Sequence, residues 1–567
     1  MSSIRILASA FLCLCTLTTF AQRSPETAPP ASQRTWVYFV DKGVPAGSAA
    51  EADAIARLVQ TYDARAVQRR ALRRTAPGLF DARDLDVAAE YTAAIESTGA
   101  RVHVRSRWLN AVSVDASPEQ LAQIAALPFV VRTTPVRGGR SSAAEALPSI
   151  TPVAPGNQRT FYGIADEQLV QISIPALHAQ GHTGAGVVIG ILDTGFLRVH
   201  NAFNNPNHPL NVIAEHDFIN NDGNTAIDPG DDGGQHVHGT LILGTLAAYL
   251  PDVYVGSAYD AAFVLCKTED ITSETPIEED NYVAGLEFIE LHGGDVATSS
   301  LGYIDWYTQA DLNGVTAVTT IAVNVATANG LHCCTAMGNS GHDDNPATSH
   351  FIAPSDAFRV IACGAVDLGG SIAGFSSDGP TADGRIKPEL LARGSGTVTV
   401  AADGSNDYWG ASGTSLSTPL VAGVVACLAG ARPEWTPDQM RTLLFATASD
   451  FVANGTHDPL YIRGYGIVNG AAALARDCNH NGIDDAADVV AATSADCNGN
   501  GVPDECECGG DFDGDCEIAL PDLSMLLAHF GTVGGVAYGD GDIDFDGDVD
   551  LADLSAFLAQ FGVSCGG

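Results

Sequence analysis

Val187-Val188-Ile189-Gly190-Ile191-Leu192 is an unbroken apolar run that ends on a lone acid, in Asp193-Thr194-Gly195. A strand with no polar face to show water is buried on both sides, the pattern of a parallel sheet covered by helices. Two more such runs follow, His332-Cys333-Cys334-Thr335-Ala336 and Val360-Ile361-Ala362-Cys363. Across residues 160–475 these runs alternate with helical patterns, which predicts an α/β domain. Such a fold places functional residues at the carboxyl ends of its strands, and Asp193 stands at one.

Two motifs downstream supply partners for that acid. His238-Gly239-Thr240 leads into the apolar, helix-like Leu241-Ile242-Leu243-Gly244. Gly413-Thr414-Ser415-Leu416-Ser417-Thr418-Pro419 leads into a small-residue run, Leu420 to Ala426. A serine hydroxyl is a poor nucleophile until a histidine takes its proton, and the imidazole needs a carboxylate to orient it. One of each is present, beside glycines that let backbones approach closely.

These residues resemble the subtilisin-like serine proteases, whose chain order is Asp, His, Ser. The resemblance runs from Tyr162-Gly163 to Gly464-Tyr465-Gly466-Ile467-Val468-Asn469. It implies a subtilisin-like parallel sheet flanked by helices. In that sheet Asp193 orients, His238 is general base then acid, and Ser415 attacks the scissile carbonyl. Ala336-Met337-Gly338-Asn339-Ser340-Gly341 resembles the family segment that supplies the oxyanion asparagine, so Asn339 is expected to stabilise the tetrahedral intermediate with the Ser415 N–H. Ser299-Ser300-Leu301-Gly302 resembles the strand that pairs with substrate and walls the first specificity pocket. That makes Ser300, Leu301 and Gly302 the expected substrate-binding residues. Gly302 is expected to leave room for a large apolar side chain before the cut. The sequence departs from the family at Leu241, where a second histidine is usual, and at Leu416-Ser417, where Met-Ala is usual. Neither position carries proton transfer. His200, His216 and His236 are expected to be solvated or structural.

Ahead of this domain, Thr35 to about Val136 predicts a small α+β unit. Trp36-Val37-Tyr38-Phe39-Val40 is a strand pattern, and a helical pattern runs from about Ala49 past Arg74. Ser117-Pro118-Glu119-Gln120 opens another helix, with Ser as N-cap, Pro in the first turn and Gln three on. The stretch from Val102-His103-Val104 to Thr133, with Asn110-Ala111-Val112-Ser113-Val114, resembles subtilisin-type pro-segments. That resemblance implies a unit that assists folding and inhibits the enzyme until it is cut off; a plain extra binding domain is the alternative. Residues 22–150 are assigned to this pro-segment and its linker. Gly138 to Pro155 is rich in Gly, Ser, Ala and Pro, and cleavage is expected between about Arg137 and Tyr162.

Beyond Arg476 the texture changes to Asp, Asn, Gly and Cys. In residues 476–508, Asp477, Asn479, Asn481, Asp485 and Asp488 alternate around Gly482, and Asp496, Asn498, Asn500, Asp504 and Glu507 around Gly501. Hard Ca²⁺ takes oxygen ligands from loops of this spacing, with glycine at the sharp turn. Both loops resemble thrombospondin-type calcium repeats. In residues 509–567 a second pair follows, Asp511, Asp513, Asp515 and Asp522 matching Asp542, Asp544, Asp546, Asp550 and Asp553. Each loop opens a helix, with Leu523, Leu526, Leu527 and Phe530 on one apolar face and Leu554, Phe557, Leu558 and Phe561 on the other. The duplicated loop-helix resembles a dockerin module, which implies a cohesin-type partner; a calcium-stiffened spacer is the other reading. Cys516 replaces the turn glycine of the first loop and Ala519 lacks an oxygen, so that site is expected to be the weaker.

Six cysteines crowd this tail, Cys478, Cys497, Cys506, Cys508, Cys516 and Cys565, an even set that suggests disulfides of unspecified pairing. Cys266, Cys333, Cys334, Cys363 and Cys427 sit mostly in apolar runs and are expected to be buried, inert thiols. At the start, Arg5, the apolar Ile6 to Cys15 and Thr19-Phe20-Ala21 predict a signal peptide over residues 1–21. No other stretch is expected to span a membrane. The 68 acidic and 28 basic residues leave a formal charge of −40. Such a surface repels nucleic acid and anionic membrane, which discounts both as partners. The expected protein is a secreted serine endopeptidase that cuts extracellular proteins through an acyl-enzyme. Its rival is a catalytically silent surface or scaffold protein acting through its calcium-binding tail.

Overall fold

The computed structural model describes residues 33–136, 150–154, 160–272, 278–304, 306–499 and 501–565. The expected signal peptide, most of the linker and Asn500 lie outside them.

The three apolar runs are strands Val188–Asp193, His332–Ala336 and Ile361–Val366, buried at every residue. They belong to one seven-stranded sheet, in the order Leu390–Arg393, Ile361–Val366, His332–Ala336, Val296–Ser299, Val188–Asp193, Ala262–Lys267, Asn211–Asp217. Every pairing in it is parallel. Helices Val237–Ala247 and Thr414–Ala431 cover one face, with Leu241, Leu243, Leu420 and Val424 in one core with Ile189 and Ile191. Helices Glu278–Leu291 and Val318–Ala328 cover the other, with Leu286 and Val323 in one core with Val188 and Val264. This is the α/β architecture expected. One expectation needs correcting: Thr414–Ala431 is long and apolar enough to cross a membrane, although 89% of it is buried inside the protein. Its hydropathy belongs to a core helix.

The N-terminal unit is a four-stranded antiparallel sheet, in the order Arg101–Ser106, Ala111–Ala116, Gln33–Phe39, Val130–Pro135. The capping box at Ser117 is formed: its hydroxyl accepts from the Gln120 N–H while the Gln120 side chain accepts from the Ser117 N–H. The single helical pattern from Ala49 is two helices, Ala49–Arg57 and Ala64–Arg73. Asp63 ends the continuity because its side chain caps the second helix, accepting from the Arg65 N–H.

That second helix is buried through its arginines, against the habit of the residue type. Arg69 and Arg70 both pair with Glu290, Arg73 and Arg65 with Asp295, and Arg70 also with Asp84 at 2.7 Å. Arg107 reaches Glu290 at 3.0 Å. Burial, the largest influence on Glu290, favours its neutral form, but Arg69, Arg70 and Arg107 overcome this and hold its pKa at about 2. Removing one partner of a buried ion pair typically costs about 3–5 kcal/mol, because the other is left uncompensated. The pairs to Glu290 and Asp295 therefore bind the unit to the sheet domain.

Part of the predicted linker is structured. Thr151–Val153 is a strand that pairs antiparallel with Tyr408–Ala411 of the sheet domain. In the tail the cysteines pair as Cys478–Cys506, Cys497–Cys516 and Cys508–Cys565. The five remaining described cysteines are free and buried, as expected. Helices Leu520–His529 and Leu551–Gln560 follow their loops and bury Leu526 and Phe557 between them.

Candidate active site

Asp193 ends the Val188–Asp193 strand and is fully buried. Its Oδ1 accepts from the Thr194 N–H at 2.7 Å and lies 2.7 Å from His238 Nδ1. His238 sits in the first turn of helix Val237–Ala247. A Cβ on Gly239 would fall 2.2 Å from the Gly195 carbonyl oxygen and 3.1 Å from Asp193 Cβ. Only a glycine lets the helix start this close to the strand end, so the motif spacing has a steric cause.

Ser415 is the second residue of helix Thr414–Ala431 and is 3% exposed. Its Oγ donates to the Ser300 carbonyl at 3.3 Å, and Ser300 Oγ donates back to the Ser415 carbonyl at 2.8 Å. His238 Nε2 has no hydrogen-bond partner. The serine–histidine hydrogen bond of the expected triad is therefore not formed; the hydroxyl is turned to Ser300 instead, a rotation about one side-chain torsion.

Asn339 follows the His332–Ala336 strand. Its Oδ1 accepts from the Thr414 N–H at 2.9 Å and from Thr414 Oγ1 at 3.1 Å. With its oxygen anchored, the amide turns its NH₂ the other way. A Cβ on Gly413 would lie 3.6 Å from Asn339 Nδ2 and 3.7 Å from the Ser415 nitrogen. Gly413 has φ of 147°, in the region that favours glycine. Its missing side chain leaves a small space beside two N–H donors.

Burial, the largest influence on His238, disfavours its charged form. The charge and hydrogen bond of Asp193, helped by Glu269, outweigh it and hold the imidazole pKa above its ordinary value. The site thus combines a carboxylate-oriented imidazole, a hydroxyl and two clustered N–H donors at the carboxyl end of a parallel sheet.

The Subtilase family model matches residues 184–466 of this chain, a span that holds all of these groups. The chain belongs to the subtilase family. The peptidase S8 propeptide domain of Bacteroidota matches residues 34–146. Subtilisin E of Bacillus subtilis (strain 168) is 31% identical over 318 residues, covering 56% of this chain and 71% of that protein. Subtilisin of Bacillus pumilus is equally similar, and the match covers 99% of it. The crystal structure of fervidolysin from Fervidobacterium pennivorans, a keratinolytic enzyme related to subtilisin, superposes with a TM-score of 0.52 at 20% identity. That match covers 80% of this chain and 62% of fervidolysin, and it speaks for the fold alone. The subtilase is a subtilisin-like serine peptidase homologue with a propeptide domain.

Other residues of this subtilase take positions that sequence reading assigned loosely or missed. His236 Nε2 bonds the Ala402 carbonyl at 2.9 Å and His200 Nε2 the Asp407 carbonyl at 3.1 Å, while His216 packs on Phe218 and Phe288. Lys267 went unnoticed. It is buried at the end of its strand, with Nζ 2.7 Å from Asp217 and 2.6 Å from Asp231, so its ammonium holds together the acidic loop that leads to His238. Thr414, which anchors Asn339, was overlooked although it adjoins Ser415.

A Cβ on Gly302 would meet Ile352 Cδ1 at 2.3 Å. The Ile352 side chain thus lies directly against this glycine.

In the tail, carboxylate oxygens of Asp511, Asp513 and Asp522 lie within 4.8 Å of one another, as do those of Asp542, Asp544 and Asp553. Burial, and then the neighbouring carboxylates, push Asp513 and Asp544 up from the usual range. Hard oxygen donors this close repel unless a cation lies among them, so both triplets fit Ca²⁺. Asp550 caps its helix through the Ala552 N–H at 2.6 Å, and Asp515 and Asp546 accept from the Glu517 and Asp548 N–H groups.

In the loops around Gly482 and Gly501 the carboxylates are tied to protein donors. Asp477 accepts from Trp435 Nε1 at 2.5 Å and the Gly482 N–H at 3.0 Å, and Asp488 accepts from Asn481 Nδ2 at 2.8 Å. Asn479 Nδ2 donates to Glu505 at 3.0 Å. Burial and the nearby Asp477, Asp484 and Asp488 push Asp485 up to about 6. In the second loop Asp496 accepts from the Gly501 N–H, Asp504 from the Cys497 N–H, and Asn498 donates to Glu507.

Proposed function

We propose that this subtilase is a secreted endopeptidase, made as a precursor, that hydrolyses peptide bonds in extracellular proteins through an acyl-enzyme. The observation that carries the reading is the 2.7 Å contact of His238 Nδ1 with buried Asp193, beside Ser415 and the two donors at Gly413. A turn of the Ser415 hydroxyl from Ser300 to His238 Nε2 forms the relay. Ser415 Oγ then attacks the carbonyl carbon as its proton passes to His238 Nε2. Asn339 Nδ2 and the Ser415 N–H hold the oxyanion. His238 returns the proton to the leaving amine, the C–N bond breaks, and water repeats the sequence on the acyl-enzyme. Asp193 keeps Nδ1 protonated and the ring aligned throughout.

Titration with a serine-directed phosphonate tests this directly. One equivalent should attach at Ser415 and abolish casein hydrolysis in parallel. Full casein hydrolysis after stoichiometric labelling elsewhere would overturn the assignment. Asn339→Ala is expected to lower turnover by about 10²–10³ with little change in KM, a magnitude taken from a subtilisin, a relative of this chain. Steady-state kinetics on one peptide check it, and a loss confined to KM would remove the oxyanion role.

The tail is proposed to bind Ca²⁺ through its four loops, with Asn500 joining the second set. Isothermal titration of the full chain should show Ca²⁺ uptake, and Asp553→Asn should lose about one equivalent while peptide hydrolysis persists. No heat on adding Ca²⁺ to chelator-treated protein would refute the reading. Leu527 and Phe530, in and just after one tail helix, are exposed, as are their counterparts Leu558 and Phe561. That repeated surface favours a cohesin-type partner over a bare spacer.

A further inference from the structure

We propose that Ile352 plugs the first specificity pocket, so that this subtilase cuts after small residues such as glycine, alanine or serine. The inference rests on Ser415 as the nucleophile and extends that reading to the substrate class. With the acyl carbonyl carbon at Ser415 Oγ and its oxygen over Gly413, the side chain before the cut leaves along the two segments tied to the serine turn. One is Ser300 to Gly302, whose Ser300 carbonyl accepts from Ser415 Oγ at 3.3 Å. The other ends in Gly338, whose N–H donates to Thr414 Oγ1 at 3.1 Å.

Glycines on both segments would leave a slot open between them, but one side chain meets both. A Cβ on Gly302 would lie 2.3 Å from Ile352 Cδ1 and 2.5 Å from its Cγ1, and one on Gly338 would lie 3.4 Å from Cδ1 and Cγ2. Ile352 is 2% exposed, so its side chain is enclosed between these segments and not turned out to solvent. Its backbone is held from both sides. Its N–H donates to the Met337 carbonyl at 3.2 Å, and Ala353 exchanges hydrogen bonds of 2.8 and 3.1 Å with Tyr303. A β-branched side chain is restricted about χ1, so it does not readily swing aside for a ring.

The test compares the wild-type protein, freed of its pro-segment, with Ile352→Gly and Ile352→Ala. Two peptides are used that differ only in alanine or phenylalanine before the cut, with Ser415→Ala as the blank. Wild type should favour the alanine peptide by about 100-fold in kcat/KM, and both variants should raise the phenylalanine-to-alanine ratio by about 10- to 100-fold. Equal or better cleavage of the phenylalanine peptide by wild type, or an unmoved ratio in folded variants, would overturn the plug while Ser415 chemistry stood. Hydrolysis of neither peptide nor casein would overturn the catalytic reading and this inference together. Should both variants fail to fold, or only casein be cut, mapping the wild-type casein fragments decides. Cuts after Gly, Ala and Ser support the plug, and cuts after Phe, Tyr and Leu refute it.

Discussion

Ser415→Ala is expected to lower turnover of a peptide substrate by about 10⁶, the loss that subtilisin itself shows when its serine is removed. The physical reason lies in what the substitution leaves. Asp193 and His238 keep their 2.7 Å contact, and the donors at Asn339 and residue 415 stay in place, so binding and oxyanion stabilisation persist. No hydroxyl remains for the imidazole to deprotonate, and any residual rate comes from water. The same variant should keep its N-terminal unit covalently attached, which an electrophoretic shift against the wild-type protein reports. Hydrolysis within about tenfold of wild type would mean that another nucleophile carries the reaction.

The second large effect is expected at Asp193→Asn, a loss of about 10⁴ in kcat, the size measured for the equivalent change in a trypsin-type triad. An amide donates where the carboxylate accepts, so it selects the wrong imidazole tautomer without altering volume. The pH profile separates this from simple damage. His238 works as a base only when neutral, so activity rises with pH through its pKa. Asp193 holds that pKa above the ordinary value, which places the acid limb of the wild-type profile above about 6.5. Without the carboxylate's charge, burial prevails over the weaker pull of Glu269 and the limb moves to lower pH. Profiles of kcat/KM with coincident acid limbs would show that Asp193 does not set the base.

Both effects were legible in the sequence because each depends on short-range steric marks. The glycine after His238 is required by a close approach to Gly195, and the one two residues before Ser415 by its positive φ. The sheet was legible because strands buried on both faces have no polar residues to show. Ile352 was not, since its contacts with Gly302 and Gly338 join segments far apart and leave no local pattern. The Ala64–Arg73 helix misleads for a related reason. Its arginines look solvent-facing until Glu290 and Asp295, more than two hundred residues away, are brought against them. Disulfide pairing likewise follows from the packing of the tail and not from cysteine spacing.

Residues 33–136 hold 13 of the 28 Lys and Arg residues but only 11 of the 68 acids. Losing that unit would therefore shed a cationic fragment and leave a body more anionic than the precursor, with Glu290 and Asp295 newly facing water. A carboxyl held at about 2 contributes to the assembled state above its free pKa, near 4.3, and loses that contribution only as pH falls toward 2. Mild acidity would then not dislodge the severed fragment. Dissolved salt would weaken the long-range attraction that draws a released basic fragment back to an acidic surface, but it screens the buried pairs little. Salinity would therefore govern the recapture of a released fragment, and the buried pairs how long an attached one stays in place.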